Sequence, residues 1–328
     1  MKVLIVLHHR FELWNPPSWF SAKLRQEFSQ LDIVHLPSYD GIDAELRDAE
    51  IVISWSLRPE QFALATKLRW LHSPAAAVHQ LIFPELVASD VILTNSRDVH
   101  GPVVAEHVIA QIFALAKCIP SAVRLQQKHL WGQQAMWDAQ PRVREVSGAT
   151  LGLIGVGSIG REVSRKASAL GMRVIACREH IDKPLPAGVE QVFASGQIDE
   201  LLAQSDYVVL ASPLTSETRS LMDATRISNM KPQACLINVG RGPLVDELAL
   251  ADALSKKQIG GAALDVFSKE PLSTNSPLWD LENILITPHT AALTDKLWDR
   301  HYQLIAENLH RYLNGELLLA VVDKNKGY

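Results

Sequence analysis

Cysteine is scarce in this chain. Only Cys118, Cys177 and Cys235 occur in 328 residues, far apart and in no CxxC pair. Scattered thiols, odd in number, argue against a disulfide scaffold or a zinc site and fit a reducing cytosol. Basic runs are missing as well: 32 Lys+Arg stand against 36 Asp+Glu, a net charge of −4. That balance offers no footprint for nucleic acid and none for an anionic membrane surface. No apolar stretch approaches the ~20 residues of a membrane helix. The opening MKVLIVLHHR carries only a short apolar run, Val3 to Leu7, which reads as a first buried strand rather than a signal segment. Low-complexity segments and repeats shorter than a domain are also absent. The expectation is a cytoplasmic protein without nucleic-acid or membrane partners.

Hydrophobic residues make up 47% of the chain, ample for two packed cores. At roughly 150 residues per domain, two domains are expected. Short apolar runs alternate with helical patterns throughout. The first hundred residues hold candidate strands at 2–7, 32–35, 51–54, 69–71 and 91–94, with helical spacing at 19–29, 59–66 and 78–88. A long apolar helix over 102–117 is expected to be buried. The segment 120–146, with Trp131 and Trp137, reads as a helix plus an extended arm at a subunit contact. A second alternating series follows, with strands at 150–154, 173–177, 191–193, 207–210, 234–238, 262–264 and 284–286. A last helix spans 295–313, with Leu297, His301, Leu304, Ile305, Leu309 and Tyr312 on one face. Such alternation predicts an α/β protein with parallel sheets covered on both faces.

The first strand of the second series runs into Gly155-Val156-Gly157-Ser158-Ile159-Gly160 and then an amphipathic helix. A lone GxGxxG says little, but between a buried strand and a helix it is a Rossmann fingerprint. Gly155 allows the tight turn, Gly157 lets a pyrophosphate approach the backbone, and Gly160 lets helix pack on strand. The helix N-terminus offers unpaired N–H groups to the phosphates. A ribose-binding acid is expected about 20 residues on, at the end of the second strand, where Arg178 stands instead. An arginine cannot accept from two hydroxyls, but it can donate to a 2′-phosphate. NADP(H) is therefore favoured, with NAD(H) as the second coenzyme. Glu179 serves instead if the strand end slips by one residue, and an Arg178 that is simply solvated is the third reading.

Three further residues follow strand ends: Arg241 in INVGRG, Glu270 in DVFSKEP and His289 in ITPHTA. In open α/β sheets ligands bind outside the carboxyl ends of the strands. Hydride transfer to a ketone needs a proton donor near the carbonyl oxygen and a cation for a substrate anion. An imidazole titrates near neutrality, which suits His289 to proton donation. A carboxylate beside an imidazole fixes its tautomer, which suits Glu270. Arg241 can clamp a carboxylate in a fork, and its flanking Gly240 and Gly242 suggest backbone pressed close to a ligand. Singly, each residue has an ordinary reading: a surface His after Pro, an exposed loop acid, a solvated loop Arg. His8 and His9 read as a strand cap. His100 and His107 share a helical face without a third ligand, so no metal is expected. Trp55 and Trp298 read as packing residues.

The ordered pieces GATLGLIGVGSIGREV, SPLTSETRSLM, MKPQACLINVGRGPLVDELALADAL, GGAALDVFSKEPL and SPLWDLENILITPHTAA span Gly148 to Ala292. This run resembles the D-isomer-specific 2-hydroxyacid dehydrogenases, as does TNSRDVHGPVVAEH more loosely. The resemblance implies a flavodoxin-like substrate domain, 1–100 and 290–328, and a Rossmann dinucleotide-binding domain, 101–289, both doubly wound. It implies Arg241, Glu270 and His289 as the catalytic set, and Asp265 as partner of the nicotinamide carboxamide. Pro213, Leu214 and Thr218 would line the adenosine half, and Val239 and Gly240 the nicotinamide ribose. Gly155, Gly157, Ser158, Ile159, Gly160 and Arg178 complete the coenzyme set. It further implies a homodimer joined through the coenzyme domains.

Departures from the family pattern are local. Where the family has a Gly-containing loop for the substrate carboxylate, this chain reads Ser73-Pro74-Ala75-Ala76-Ala77-Val78-His79. If Ala77 must take positive φ, the penalty is about 1 kcal/mol or more, so substrate binding by Ala76 and Ala77 is an open expectation beside Arg241. Arg97-Asp98 replaces the glycine usual after the TNS turn. The reading is an NADP(H)-preferring 2-oxoacid reductase of glyoxylate/hydroxypyruvate type, yielding a D-2-hydroxyacid. The alternative is a nucleotide-sensing, corepressor-like binding protein on the same fold. A formate dehydrogenase-like member would carry Gln where Glu270 stands.

Overall fold

The computed structural model describes residues 1–139 and 141–327, with the His79 side chain outside that description. Gln140, within the expected arm, also lies outside the described residues. The chain divides into two compact units, Met1–His100 with Thr294–Tyr328, and Gly101–Leu293. The return to the first unit falls at Thr294 rather than at 290. Asp265 of the second unit accepts from the backbone N–H groups of Thr290 (2.9 Å) and Ala291 (3.0 Å), and Leu293 N–H bonds Thr290 O. Those bonds hold 290–293 in the second unit.

The first unit is a five-stranded parallel sheet. Its strands are β1 Lys2–Val6, β2 Asp32–Leu36, β3 Ile51–Ser54, β4 Trp70–Ser73 and β5 Ile92–Asn95, in the order β2-β1-β3-β4-β5. This is the flavodoxin-like order. Side chains alternate across the sheet. Val3 and Ile5 pack with Phe20, Leu24, Trp298, Tyr302 and Ile305 on one face. Leu4 and Val6 pack with Ile42, Leu46, Leu81 and Leu86 on the other. The long helix Leu297–Leu313 buries Leu297, His301, Ile305 and Leu309 of the expected face and adds Trp298, Tyr302, Ala306 and Asn308, while Leu304 and Tyr312 are half-buried. The helix expected over 78–88 is broken into a 3₁₀ turn, His79–Leu81, and a short helix, Pro84–Val87. Pro84 explains the break. A residue before proline is pushed out of the helical region, and Phe83 is extended at φ −133°, ψ 158°.

A chain of buried polar groups crosses this unit. The His72 ring lies 2.8 Å from Thr94 Oγ1 and 3.2 Å from Ser96 Oγ, and Ser96 Oγ lies 3.1 Å from His301 Nδ1. Trp70 Nε1–H donates to Thr94 Oγ1 at 2.7 Å. Burial pushes the His72 imidazole down to about 3, and it also pushes His301 well down. Both rings are thus held neutral in the folded protein, whereas an unfolded imidazole titrates near 6.5. Below that value the unfolded chain binds protons that the folded chain refuses. Stability is therefore full above pH ~6.5 and falls as the pH drops toward about 3. Each such proton contributes a slope of up to about 1.4 kcal/mol per pH unit. Urea midpoints measured from pH 7 to 4 are expected to fall steadily; a flat profile would refute the assignment.

The second unit is a seven-stranded parallel sheet of β6 Thr150–Ile154, β7 Arg173–Cys177, β8 Gln191–Phe193, β9 Tyr207–Leu210, β10 Cys235–Asn238, β11 Gly261–Leu264 and β12 Ile284–Ile286. Its order is β12-β11-β10-β9-β6-β7-β8, the Rossmann arrangement with its switch point between β6 and β9. Two apolar layers cover it. Leu151, Leu153 and Val209 face one with Val108, Ile112 and Val163, and Val208, Leu210 and Leu236 face the other with Leu201, Leu250 and Leu254. The helix Gly101–Ala116, expected over 102–117 as buried, buries one face: Val104, Ala105, Val108, Gln111, Ile112 and Ala116 are covered, while Phe113 is exposed. The segment expected as a helix plus an extended arm contains two helices, Ile119–Gln127 and Gln133–Asp138, with Trp131 94% exposed and Trp137 67% exposed. Among the described residues no single helix is long and apolar enough to cross a membrane.

Candidate active site

Strands β10, β11 and β12 are consecutive neighbours in the second sheet. Arg241, Glu270 and His289 each sit just beyond the carboxyl end of one of them, so parallel pairing alone sets their loops side by side at one sheet edge. The closest contact is between His289 and Glu270: Nδ1 lies 2.6 Å from Glu270 Oε2. The other carboxylate oxygen accepts from the Phe267 N–H at 3.0 Å. Glu270 is thereby pinned at both ends, and it fixes the imidazole tautomer with hydrogen on Nδ1. Both side chains remain open, at 52% exposed for His289 and 36% for Glu270. The Nε2 side of the ring is thus free of the carboxylate.

His289 has φ +55°, in the left-handed region. A histidine there is strained by about 1 kcal/mol or more, so surrounding bonds must hold it. Its N–H bonds Asp265 O at 2.9 Å and Thr287 O at 3.0 Å. The Asp265 carboxylate takes the Thr287 hydroxyl at 2.6 Å and the Thr290 and Ala291 N–H groups. Asp265 is 1% exposed, so its carboxylate is turned into the loop that carries His289.

Arg241 is largely buried. Burial lowers its pKa, and the nearby Glu270 carboxylate opposes that change. Nη1 donates to Gly240 O at 2.7 Å, and the Asn238 amide braces the loop by donating to Arg241 O (2.9 Å) and accepting from the Gly240 N–H (3.0 Å). Gly242 is required by packing. A Cβ there would sit 1.9 Å from the Phe267 carbonyl carbon and 2.3 Å from Ser268 N. The Arg241 loop therefore lies directly on the loop that carries Glu270.

The coenzyme candidates fall at the switch point. Gly155 has φ +96°, and a Cβ on it would meet the 211–212 backbone at 2.7–2.8 Å. At Gly157 an added Cβ would meet nothing within 4 Å. The protein's own packing does not demand glycine there, whereas backbone access for a pyrophosphate does. Ser158, Ile159 and Gly160 open the helix Ser158–Ala169 behind it. Ser212 Oγ, beside Gly155, is buried without a protein partner. An open glycine cradle at a helix N-terminus with an orphaned hydroxyl fits a dinucleotide. The Thr218 hydroxyl donates to Pro213 O at 2.8 Å and accepts from the Thr215 N–H at 2.8 Å, so it shapes the 213–218 turn. Leu214 packs partly against the core, and Val239 is buried.

Arg178 stands at the end of β7, as expected, but its guanidinium folds onto the following loop. It donates to Pro184 O at 3.1 Å and to Lys183 O, while Nε is buried without a partner. In the first unit, Ala76 O accepts from the Asn95 amide at 2.7 Å. Ala77 is not among the positive-φ residues, so the expected strain of alanine at that position does not arise.

Sequence reasoning missed Gln111 and Thr287, and it weighed His107 only as a metal ligand. His107 Nε2 lies 3.1 Å from Thr287 Oγ1, 3.0 Å from the Gln111 amide and 3.7 Å from Asp265 Oδ1. The available signal was the four-residue spacing of His107 and Gln111, which puts both on one helical face. No group of three or more His, Cys, Asp or Glu among the described residues is arranged to hold a metal.

Comparison with known proteins shows the family. Residues 109–291 match the family model "D-isomer specific 2-hydroxyacid dehydrogenase, NAD binding domain". A glyoxylate reductase of Korarchaeum cryptofilum is 33% identical over 86% of this chain and 85% of its own length. A D-3-phosphoglycerate dehydrogenase of Methanocaldococcus jannaschii is 31% identical over 92% of this chain, which spans only 57% of that protein. The solved structure of an NADPH-dependent glyoxylate/hydroxypyruvate reductase from Sinorhizobium meliloti, in complex with NADP and sulfate, superposes with a TM-score of 0.81. It is 28% identical, and the alignment covers 100% of this chain and 99% of that one. The chain belongs to the D-isomer specific 2-hydroxyacid dehydrogenases, an NAD(P)-dependent oxidoreductase family.

Proposed function

We propose that the protein is an NADP(H)-preferring reductase that converts a small 2-oxoacid into a D-2-hydroxyacid. The unit Gly101–Leu293 is the coenzyme domain and the other unit the substrate domain. The observation that carries the reading is the 2.6 Å pair of His289 Nδ1 and Glu270 Oε2 beside a partly buried Arg241. The nicotinamide, when bound, supplies the hydride to the keto carbon. His289 does the complementary work. With Nδ1–H held by Glu270, Nε2–H of the protonated ring delivers the proton to the carbonyl oxygen. Glu270 stabilises the imidazolium before transfer and keeps the ring oriented afterwards. Arg241 receives the substrate carboxylate in its fork and holds the carbonyl in register. Gly155, Gly157, Ser158, Ile159 and Gly160 hold the pyrophosphate at the helix N-terminus. Arg178 takes the 2′-phosphate. An NADPH-dependent relative of the same fold, solved in complex with NADP, supports that coenzyme choice.

The test is a panel of 2-oxoacids, glyoxylate and hydroxypyruvate among them, assayed with both coenzymes. Turnover of at least one acid with NADPH preferred over NADH is expected; no reduction of any 2-oxoacid would overturn the reading.

The same reading includes a homodimer. Trp131, Trp137, Leu130, Ile119 and Val123 are all exposed on the 119–138 segment. Beneath it lies a cavity of about 710 Å³ whose lining mixes Leu115, Leu125 and Met136 with Arg124, Lys128 and Asp138. Exposed apolar side chains gathered on one segment support an interface there. The wild-type chain is expected to sediment as a dimer, and Trp131→Ser combined with Trp137→Ser as a monomer. A monomeric wild type would rule the dimer out.

A further inference from the structure

The catalytic histidine occupies a backbone conformation that histidine does not favour, φ +55°, and the groups that impose it reach across the unit. The Thr287 hydroxyl is the pivot. Its proton is committed to Asp265 Oδ1 at 2.6 Å, so only its lone pairs face His107 Nε2 at 3.1 Å. Nε2 must then carry the hydrogen and donate. Burial lowers the His107 pKa more than the nearby Asp265 carboxylate raises it; the ring is neutral and has that single N–H to place. Gln111 agrees. With two N–H donors unable to face each other at 3.0 Å, its amide presents oxygen to the ring.

On the reading of His289 as the proton donor, we infer that His107 is a positioning residue for the reaction: through Thr287 and Asp265 it locks the 287–291 loop and thereby the aim of His289 at the substrate oxygen. The path is short and continuous. His107 Nε2–H orients the Thr287 hydroxyl; that hydroxyl and two loop N–H groups converge on the Asp265 carboxylate; the Asp265 carbonyl holds the His289 N–H. The side chain comes from the helix Gly101–Ala116, which packs against β10 and β11. Among the described residues no hydrogen bond joins it to His289 or Arg241, the two residues that meet substrate in the proposed mechanism, so its effect falls on the chemical step rather than on binding.

The test compares His107→Leu, His107→Gln, Thr287→Val and the double variant His107→Leu/Thr287→Val, with NADPH and the best 2-oxoacid of the panel. His107→Leu and Thr287→Val are each expected to lower kcat about tenfold, with KM for the acid and the Kd of NADPH changed less than about twofold. The double variant is expected to lose no more than either single one, because both cut one path. Glutamine places an amide N–H near the position of imidazole Nε2, so His107→Gln is expected to recover at least half of wild-type kcat. A His107→Leu enzyme with wild-type kcat, a loss confined to KM or Kd, or additive losses would overturn the inference. If His107→Leu does not accumulate as folded protein, Thr287→Val decides, since it is close in volume and removes only the hydroxyl. A His289→Ala control separates the two readings. Activity lost in that control but intact in His107→Leu defeats only the positioning role; activity intact in both defeats the proposed mechanism.

Discussion

His289→Ala is expected to reduce kcat by a factor of about 10²–10⁴, the range that a positioned proton donor contributes. Its Nδ1 is tied to Glu270, so Nε2 is the only ring atom left to serve the substrate. Alanine removes that donor and leaves water to replace it. The coenzyme Kd is expected to stay within about twofold, because the glycine cradle lies beyond the carboxyl ends of β6 and β9, with β10 and β11 between it and β12 along the same sheet edge. Glu270→Gln gives a graded control. Its amide oxygen can still accept from Nδ1–H, but the charge that favours the imidazolium is gone, so a loss of about tenfold is expected. Removing charge from a charge-assisted bond weakens it by roughly half. Single-turnover absorbance at the nicotinamide band measures the step directly. A His289→Ala enzyme close to wild-type rates would remove this residue from the mechanism, and with it the significance of the 2.6 Å pair.

Arg178→Asp is expected to shift the ratio of kcat/KM for NADPH over NADH by about a hundredfold toward NADH. Two effects add. A guanidinium–phosphate bond, being charge-assisted, contributes about 1.5–3 kcal/mol, which is one to two decades in affinity. An aspartate also repels a 2′-phosphate and accepts from the two ribose hydroxyls of NADH. The structure adds a condition. Arg178 at present donates to the Lys183 and Pro184 carbonyls, so it must exchange those bonds for the phosphate. Arg178→Gln isolates that part, since an amide still reaches a carbonyl but carries no charge. Glutamine is expected to weaken NADPH without strengthening NADH. A coenzyme ratio unmoved by Arg178→Asp would show that Arg178 only braces its own loop.

Much of this molecule was legible before any coordinates. Strands such as β6, β7, β9 and β12 are short apolar runs bounded by turn residues, and a buried parallel strand can hardly look otherwise. The switch-point glycines and the trio Arg241, Glu270 and His289 were legible for the same reason. Each sits a few residues past a strand, and parallel strands put such loops on one edge. The breaks in expectation have local causes. Pro84 cut a helix that apolar spacing alone suggested, and the arm folded into a second helix that its polar composition concealed. Ala77 was judged against the glycine of the family pattern, but its penalty depended on a backbone angle that no sequence pattern displays.

What the sequence by itself determined is therefore the order of strands and helices, the phosphate loop, and which residues stand at strand ends. Only the tertiary structure decided what those residues touch. His107 and Thr287 are 180 positions apart, and His72 and His301 lie at the two ends of the first unit's chain, yet each pair belongs to one hydrogen-bonded chain. Periodicity reports which face of an element is apolar. It carries no information on the depth and register at which a helix seats on a distant strand, and hydrogen bonds, which fail within an ångström of misplacement, depend on those two quantities alone.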